Sequence, residues 1–398
     1  MSKGFAGAMK IVHIITRLIL GGAQENTLIT CKLLHQRGHD VTLITGPAVG
    51  SEGQLFHQAR RHGYRILVVP GLCREISLLR DLRTYFELKK RLQGLKPDIV
   101  HTHSAKAGIL GRFAAAATRP RPRIVHTVHG LAFHPYLSPR TNRFYIGIEK
   151  AAAERTDAFI SVADTMTRKM LAVGIGVDKE YTTAYSAIEQ EGYLSAPTLE
   201  EIKSFRRRYG IGEQAVLLVC VARLAEFKGH EYIIASAKRL AARFQNCNWL
   251  FVGDGDLTHR IKSQIRLANL QYRIKFTGLL PPEQIPLAIH SSDILVHCSL
   301  REGLARVLPQ AMLCGKPAVS FDIDGAAEVV NDGTGRLVPP EDIDALTAAC
   351  AELIENPELR DRLGRTGRES VLERFAPDTM VDVIESVYQR VIQGRPSA

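Results

Sequence analysis

The 398-residue sequence lacks the marks of several protein classes. Its seven cysteines are odd in number, scattered and without a CxxC pair, which argues against a disulfide framework or a zinc site and indicates a reducing, cytoplasmic compartment. Aromatic residues are only 7% of the chain, and the basic segments 89–91 and 119–123 contain none. Nucleic-acid binding usually interleaves aromatic with basic residues, so the sequence argues against a nucleic-acid partner.

The chain also lacks an apolar run of the roughly 18 residues that a membrane span needs. Its start superficially resembles a signal peptide, but His13 and Arg17 interrupt the apolar stretch and no small-residue cleavage site follows. We therefore expect residues 10–16 to form the first strand, and residues 1–8 to be a loose extension.

Charge is present but unevenly spread. Residues 1–190 hold 27 Lys and Arg against 14 Asp and Glu, a net +13, whereas the remaining residues hold 25 against 27. The basic half predicts contact with an anionic partner, such as the inner face of the cytoplasmic membrane, or simply a solvated basic surface. Helix 78–92 combines leucines and aromatics with Arg and Lys, which fits either a membrane-facing surface or a core-facing stripe with a wet basic face.

Short β-branched runs alternate with amphipathic helices, which predicts α/β domains with parallel sheets. The polar stretch 189–212 separates two such series. We therefore predict a first domain over 1–189, a second over 190–376, and a last helical segment over 377–398. The predicted strands are 11–15, 41–45, 66–69, 99–101, 124–128, 158–162, 182–185, 216–221, 249–252, 274–277, 294–297 and 318–320.

The segment 301–317 carries the strongest functional signal. Glu302 and Gly303 precede a predicted helix over 304–313. A glycine ahead of a helix leaves backbone N–H groups available to an anion, and a carboxylate beside it can accept hydrogen bonds from sugar hydroxyls. This segment could therefore hold both ends of a sugar phosphate.

Two further loops offer phosphate-binding groups. Gly21 and Gly22 lie between the first strand and a helix, although the pattern is neither GxGxxG nor a Walker motif, and an ordinary βα turn explains it as well. Arg223 and Lys228 follow the first strand of the second half and could converge on a diphosphate. The alternative for Arg223 is a surface ion pair with Glu226.

Histidines end two strands of the first half. His129 comes directly before Gly130, at a strand end where ligand-facing residues belong, and a metal site there would need a third ligand that is not evident. A hydrogen bond to a sugar hydroxyl or phosphate fits better. His101 and His103 end another strand, where a structural role and a site role are both open.

Strand-to-loop turns in the second half contain Gly253 and Leu279, which could line a nucleotide-base pocket. Turn chemistry alone would also explain them.

In this order, the motifs resemble the family-four retaining glycosyltransferases of the GT-B fold, also described as glycosyl transferases group 1. The resemblance rests on Gly21-Gly22, His129-Gly130, Arg223 with Lys228, Gly253-Asp254-Gly255 and the segments 302–317, 324–330 and 333–339, and it spans nearly the whole chain. It implies two facing Rossmann-like domains with parallel sheets. It also implies a last helix that returns to the first domain, and anomeric retention without a metal or another cofactor.

The resemblance further implies individual roles. Arg223 and Lys228 would bind the donor diphosphate, Glu302 would hold sugar hydroxyls, and the amides of Gly303 and Leu304 would assist. Gly22 would approach the distal phosphate, and His129 would contact the transferred sugar. Two positions depart from the family pattern: Gln310 stands where a ribose-binding glutamate is expected, and residues 186–189 read Ser-Ala-Ile-Glu in place of Asn-Gly-Val-Asp.

Together these features predict transfer of a sugar from a nucleotide diphosphate-sugar, UDP- or GDP-linked, to a glycan or lipid-linked acceptor in surface polysaccharide or glycolipid synthesis. The first-half loops 46–54 and 131–140 would select the acceptor. The alternatives are a non-catalytic basic binding module for anionic lipid or polymer, a sugar-nucleotide epimerase, and a phosphorylase, for which no motif is present.

Overall fold

The computed structural model describes residues 7–47 and 55–394, and it divides the chain into two compact units. The first unit is Met1–Ala187 together with Pro377–Ala398, and the second is Ile188–Ala376. The division falls two residues before the sequence-predicted boundary. Residues 1–6 of the expected extension and residues 48–54 of the expected acceptor loop lie outside the described residues.

The first unit is built on a seven-stranded sheet in which every neighbouring pair is parallel. The central strands are apolar and buried along nearly their whole length, as expected when helices cover both faces of a sheet. The strand order is β3-β2-β1-β4-β5-β6-β7, and the strands are β1 Lys10–Arg17, β2 Asp40–Gly46, β3 Arg65–Val68, β4 Ile99–His103, β5 Arg123–Val128, β6 Ala158–Ser161 and β7 Glu180–Thr183.

Helices connect these strands, and the last helix of the chain completes the unit. That helix, α15, packs against α1 and contributes Met380, Ile384 and Tyr388 to the same buried cluster as Ile11 and Leu28. The helices of this unit are α1 Gly22–Gln36, α2 Phe56–Arg60, α3 Leu78–Leu95, α4 Ala105–Ala116, α5 Pro139–Ala153, α6 Asp164–Ala172 and α15 Pro377–Gln393.

The second unit repeats the plan with six parallel strands in the order β10-β9-β8-β11-β12-β13. Its own core surrounds Trp249, Phe251 and Phe321. The strands are β8 Val216–Val221, β9 Cys247–Val252, β10 Ile274–Gly278, β11 Ile294–His297, β12 Ala318–Phe321 and β13 Gly335–Val338. The helices are α7 Glu191–Leu194, α8 Leu199–Arg208, α9 His230–Arg243, α10 Thr258–Leu267, α11 Ile285–His290, α12 Val307–Leu313, α13 Ile343–Glu355 and α14 Pro357–Leu372, with short 3-10 helices at Pro282–Gln284 and Ala326–Glu328.

Three sequence-based assignments were wrong in detail. The seventh strand is Glu180–Thr183, two residues before the predicted 182–185, and β13 was not predicted as a strand. The helix expected at residue 304 begins at Val307, because the chain turns at Gly303, where the N–H of Gly325 donates to the Gly303 carbonyl at 3.1 Å. Ala187 is not in the left-handed region, so the Ser-Ala-Ile-Glu segment needs no glycine at that position.

In both sheets the strand order reverses beside the first strand of the unit. β1 lies between β2 and β4, and β8 lies between β9 and β11. In open parallel sheets, ligands bind beyond the carboxyl ends of the strands at such a reversal. The fold therefore directs attention to the loops after β1 and β4 and to those after β8 and β11. Within the described residues, no helix combines the length and apolar character needed to span a membrane.

Candidate active site

In the second unit, the loops that follow β8 and β11 are in direct contact. Gly229 has φ 68°, and a Cβ there would lie 1.9 Å from the carbonyl oxygen of Cys298. The carbonyl of Phe227 accepts a hydrogen bond from the N–H of Leu300 at 2.8 Å. Only glycine fits this approach without strain, and the approach brings Lys228 to the loop that carries Glu302.

Lys228 and Glu302 form an ion pair through Nζ and Oε1, and each side chain is 21% exposed. The Nε2 atom of His297, the last residue of β11, lies 3.6 Å from the same Oε1. Burial alone would raise the pKa of Glu302, but the Lys228 ammonium and the His297 side chain outweigh burial and hold that pKa far below its usual range. The site therefore presents an ionised carboxylate at neutral pH.

A hydrogen bond to Asp324 fixes the backbone at Glu302. The N–H of Glu302 donates to Oδ2 of Asp324 at 2.6 Å, and Asp324 itself adopts a left-handed φ of 49°. In the part of the chain that the structure describes, no hydrogen bond uses the N–H groups of Gly303 or Leu304. Since buried amides are rarely left unpaired, these two donors beside an ionised carboxylate are candidates for an anionic ligand.

Gly253 and Arg223 belong to the same region. Gly253 has φ 139°, and a Cβ on it would come within 2.1 Å of the Ala222 carbonyl oxygen, so the turn after β9 presses on the loop that carries Arg223. Arg223 is exposed on that loop. The neighbouring Asp254 carboxylate accepts from the Gly255 N–H and the Thr258 hydroxyl, which is ordinary turn chemistry.

Leu279 and Gln310 lie in the same unit, in other elements. Leu279 follows β10 and is 51% exposed, which leaves its apolar surface available. Gln310 is half-buried in α12, and its side chain makes no hydrogen bond to the Lys228–Glu302 pair in the described chain. The structure thus shows where both residues lie but gives no contact that indicates a role for them.

The candidate residues of the first unit follow two of its strands, Gly21 and Gly22 after β1 at the strand reversal and His129 after β5. α1 begins at Gly22, and Gly21 caps it with no side-chain hydrogen bond; its carbonyl accepts from the Glu25 N–H at 3.0 Å. His129 directly follows β5 and is half-buried. It borders a cavity of about 20 Å³, which it shares with Ser104 and Glu149. That volume admits a water molecule.

Behind His129 lies a group of buried histidines. His13, His101 and His103 each place one ring nitrogen within 4.8 Å of the others. They are already engaged, because the three rings bond to one another, to Tyr388, to Thr127 and to His129. Burial lowers the pKa of His13 to about 3 and lowers the pKa values of His101 and His103 well below their usual range. A cation would have to break these bonds.

Sequence reasoning assigned no individual role to four residues that complete these two groups, namely His13, His297, Asp324 and Tyr388. A signal existed for His13 and His297. His13 pairs in register with His101 across the reversal point, and His297 ends the strand beside β8. Asp324 and Tyr388 come from distant segments, so only the fold brings them near.

Two Rossmann-like α/β units define the GT-B fold of nucleotide-sugar-dependent enzymes. Anabaena HepE in complex with UDP-glucose has a similar structure, with a TM-score of 0.81, 20% identity, and coverage of 96% of this chain and 100% of HepE. At this identity the comparison establishes the fold.

Family models extend the comparison to sequence. Residues 20–183 match Glycosyltransferase Family 4, and residues 201–370 match Glycosyl transferases group 1. The chain therefore belongs to the glycosyltransferases that these two models describe.

Two relatives of known name match most of the chain. One is the UDP-Gal:alpha-D-GlcNAc-diphosphoundecaprenol alpha-1,3-galactosyltransferase of Escherichia coli, with 28% identity over 97% of this chain and 98% of the relative. The other is a GDP-mannose-dependent alpha-(1-6)-phosphatidylinositol monomannoside mannosyltransferase of Mycolicibacterium smegmatis, with 27% identity over 85% of this chain and 87% of the relative.

Proposed function

We propose that this enzyme transfers a sugar from a UDP- or GDP-linked donor to a hydroxyl of a glycan or lipid-linked acceptor, with retention of anomeric configuration. The observation that carries the proposal is the ionised Glu302, paired with Lys228 and adjacent to two unused backbone amides. The names of the two relatives support both the donor class and the lipid-linked acceptor. Surface polysaccharide or glycolipid synthesis is the corresponding setting.

In this proposal different groups of the second unit bind the diphosphate and the sugar of the donor. Arg223 and Lys228 bind the diphosphate, the Gly303 and Leu304 amides donate to the donor, and Glu302 accepts hydrogen bonds from sugar hydroxyls. When the donor binds, the Lys228 ammonium contacts phosphate oxygens, either in place of Glu302 or in addition to it. An ammonium already held within the site needs little reorganisation to stabilise the charge that builds on the departing diphosphate.

The proposed chemical step uses one face of the sugar. The acceptor oxygen forms a bond to the anomeric carbon while the bond from that carbon to the diphosphate oxygen breaks. The acceptor proton passes to the departing diphosphate, so no side-chain nucleophile is required. The chain supplies orientation and charge stabilisation.

The remaining candidate residues take supporting roles. Gly22 approaches the distal phosphate, and His129 contacts the transferred sugar. Gly253 and Leu279 border the base, and Gln310 takes one ribose hydroxyl, with an amide that can both donate and accept.

A donor panel tests the proposal directly. UDP-, GDP- and ADP-sugars are screened by thermal shift and by slow donor hydrolysis, and the best donor is then used with Lys228→Met and Arg223→Ala. We expect each variant to lower kcat/KM about 100-fold or more, as for loss of a charge-stabilising group. Lys238→Met, at an exposed lysine of α9, is the matched control and should keep wild-type activity.

Near-wild-type kcat/KM in both site variants would overturn the diphosphate assignment. Anomeric analysis of the product tests retention. A donor whose sugar is epimerised, and not merely hydrolysed, without any acceptor would favour the epimerase alternative. Activity that survives saturating EDTA is expected if no metal takes part.

The helix α3 supports contact with an anionic membrane. Leu78, Leu79, Leu82 and Phe86 are 85, 72, 53 and 57% exposed, so they do not form a core-facing stripe. Only Leu88 and Leu92 among the apolar residues of this helix are buried. Lys89 and Lys90 follow Phe86 on the same helix. Apolar residues beside lysines on an exposed helix suit the boundary between headgroups and acyl chains.

Vesicle sedimentation tests this surface. Wild-type protein should sediment with phosphatidylglycerol vesicles at low salt, less at high salt, and little with phosphatidylcholine alone. The double variant Leu78→Ser, Leu79→Ser should lose most of this binding and keep its thermal stability, since both side chains are exposed. Leu267→Ser is the control, because Leu267 is 82% exposed in the second unit. Equal binding by both variants would exclude α3 as the contact surface.

A further inference from the structure

His297 connects the Glu302 carboxylate to the neighbouring strand β12. It is the last residue of β11, pairs in register with Ser320 of β12, and is 3% exposed. Its Nδ1 atom lies 3.3 Å from the Ser320 hydroxyl, which in turn lies 3.0 Å from the carbonyl oxygen of Phe321. Its Nε2 atom lies 3.6 Å from Oε1 of Glu302. The ring is therefore in contact at both nitrogens, with the sheet at one and with the site at the other.

The two groups beside the Glu302 carboxylate contact the same oxygen atom. Lys228 Nζ and His297 Nε2 both approach Oε1, from the loop after β8 and from β11. Within the part of the chain that the structure describes, no hydrogen bond reaches Oε2. Two neighbours at one oxygen fix the rotation of the carboxylate, so Oε2 is the atom that retains the capacity to accept from a ligand hydroxyl.

These two neighbours differ in how freely they can move. Lys228 is 21% exposed and carries its ammonium on a flexible four-carbon stem, so the ammonium can turn to an arriving phosphate. The His297 side chain is only 4% exposed, and the Ser320 contact holds its ring against β12. When Lys228 turns to a phosphate, His297 is therefore the neighbour that stays at Oε1.

The contact between His297 and Glu302 requires a hydrogen on Nε2. An ionised carboxylate only accepts hydrogen bonds, so a bare Nε2 would place its lone pair against Oε1 in a buried position, where such a clash is costly. The imidazolium and the neutral Nε2–H ring both supply that hydrogen, and the Ser320 hydroxyl can pair with Nδ1 in either form. At 3.6 Å the contact is electrostatic rather than a short hydrogen bond.

We propose that His297 is a positioning residue for the donor sugar, which orients the Glu302 carboxylate together with Lys228 and keeps Oε2 directed at sugar hydroxyls after Lys228 has moved to the diphosphate. The identity of the ligand rests on the proposed function. The orientation of Glu302 by His297 does not, because it follows from contacts within the second unit alone. Losing this contact should cost roughly tenfold in kcat/KM.

Two substitutions of similar reach separate positioning from packing. His297→Gln places an amide N–H near the Nε2 position, whereas His297→Met extends equally far without a donor. With the best donor of the panel, we expect the Met variant to lose roughly tenfold in kcat/KM and to keep the wild-type Kd for UDP or GDP alone, since the sugar contact is the one affected. The Gln variant should recover most of that loss. His259→Met is the matched control at an exposed histidine of the same unit and should behave as wild type.

Carbon-13 nuclear magnetic resonance of the glutamate carboxyl groups tests the orientation without any substrate, with Glu302→Gln used for assignment. The Lys228→Met variant imitates the state in which Lys228 has left. There His297 should still hold the pKa of Glu302 below the ordinary 4.5. In the double variant Lys228→Met, His297→Met, burial remains without either opposing neighbour, so the pKa of Glu302 should rise above 4.5.

The proposal is overturned if the Gln and Met variants are equally active, if the Met variant also loses affinity for UDP or GDP alone, or if Glu302 titrates identically in the single and double variants. If no donor on the panel reacts while the two titrations differ as expected, the proposed function is wrong and the positioning of Glu302 by His297 stands.

Discussion

The two units reverse their strand order beside the first strand, yet the side chains at the two reversals differ in charge. In the second unit, Lys228 and Glu302 form an ion pair at a site where each side chain is 21% exposed. In the first unit, His13, His101 and His103 are fully buried, and burial lowers the pKa of each ring. The same backbone plan thus supports a charged site in one unit and an uncharged one in the other.

Burial explains the difference. A carboxylate can stay ionised when a cation and partial hydration offset desolvation, whereas a fully buried histidine without an anion loses its charge. The charged unit offers electrostatic stabilisation to a diphosphate. The neutral histidines of the first unit offer hydrogen bonds, whose strength depends on geometry more than on salt.

The largest expected effect is unequal acid unfolding of the two units. Four buried histidines of the first unit, His13, His101, His103 and His126, have folded-state pKa values below the ordinary 6.5. The unfolded chain therefore binds more protons as pH falls, so stability present above about pH 6.5 is lost toward the His13 pKa of about 3. At about 1.4 kcal/mol per proton and pH unit, the slope approaches about 5 kcal/mol per pH unit.

The single tryptophan makes this measurable. Trp249 is buried in the second unit. Among the histidines of that unit, all of which the structure describes, only His230 and His290 have lowered pKa values. In urea titrations at pH 5, the circular dichroism change should occur at lower urea concentration than the Trp249 fluorescence change. His103→Asn should reduce the slope of unfolding free energy against pH by the contribution of about one proton. Coincident transitions at pH 5, or earlier loss of the Trp249 signal, would contradict the comparison.

An intermediate effect is expected from Gly229→Ala in the second unit. The new Cβ would meet the Cys298 carbonyl oxygen at 1.9 Å in a left-handed backbone, which should cost about 2 kcal/mol or more. The thermal unfolding temperature and the affinity for the donor should both fall, because this contact positions Lys228. Gly212→Ala is the matched control, since its Cβ would make an ordinary 3.7 Å contact with Ala215. Equal behaviour of the two variants would mean that the contact does not hold the site.

The smallest effect should come from Glu302→Gln, measured on the ligand-free protein through Trp249. The amide keeps the shape but leaves Lys228 without its anion, so we expect about 1 kcal/mol of destabilisation at pH 7. Because the folded-state pKa of Glu302 is lowered, the stabilisation is present above the ordinary 4.5 and declines as pH falls below it. The difference between variant and wild type should therefore narrow below about pH 4. A constant difference would show that charge is not its cause.

Much of the fold could be predicted from local patterns. β1, β8 and β11 are runs of β-branched and aliphatic residues, and α9 and α15 show helical periodicity, so local propensity and burial agree there. The start of α12 could not be predicted, because Leu304 and Ala305 are as apolar as the helix that follows. The bond from Gly325 to Gly303, more than 20 residues away, sets that start.

The candidate site likewise contains some residues that the sequence indicates and others that only the fold brings in. Glu302, Arg223 and Lys228 stand out in the sequence by residue type and by the loops they occupy. Asp324 accepts from the Glu302 N–H, and Tyr388 is hydrogen-bonded to His101. Nothing in the residues around either one predicts these partners, which lie far away along the chain.

By itself, the sequence determined the alternation of strands and helices, the restart near residue 190 and the chemical types available at the loops, because these follow from periodicity and side-chain chemistry. Only the tertiary structure decided which groups are charged and which groups bind one another. Burial and the nearby partners set the pKa values, and both depend on residues as far apart along the chain as His13 and Tyr388.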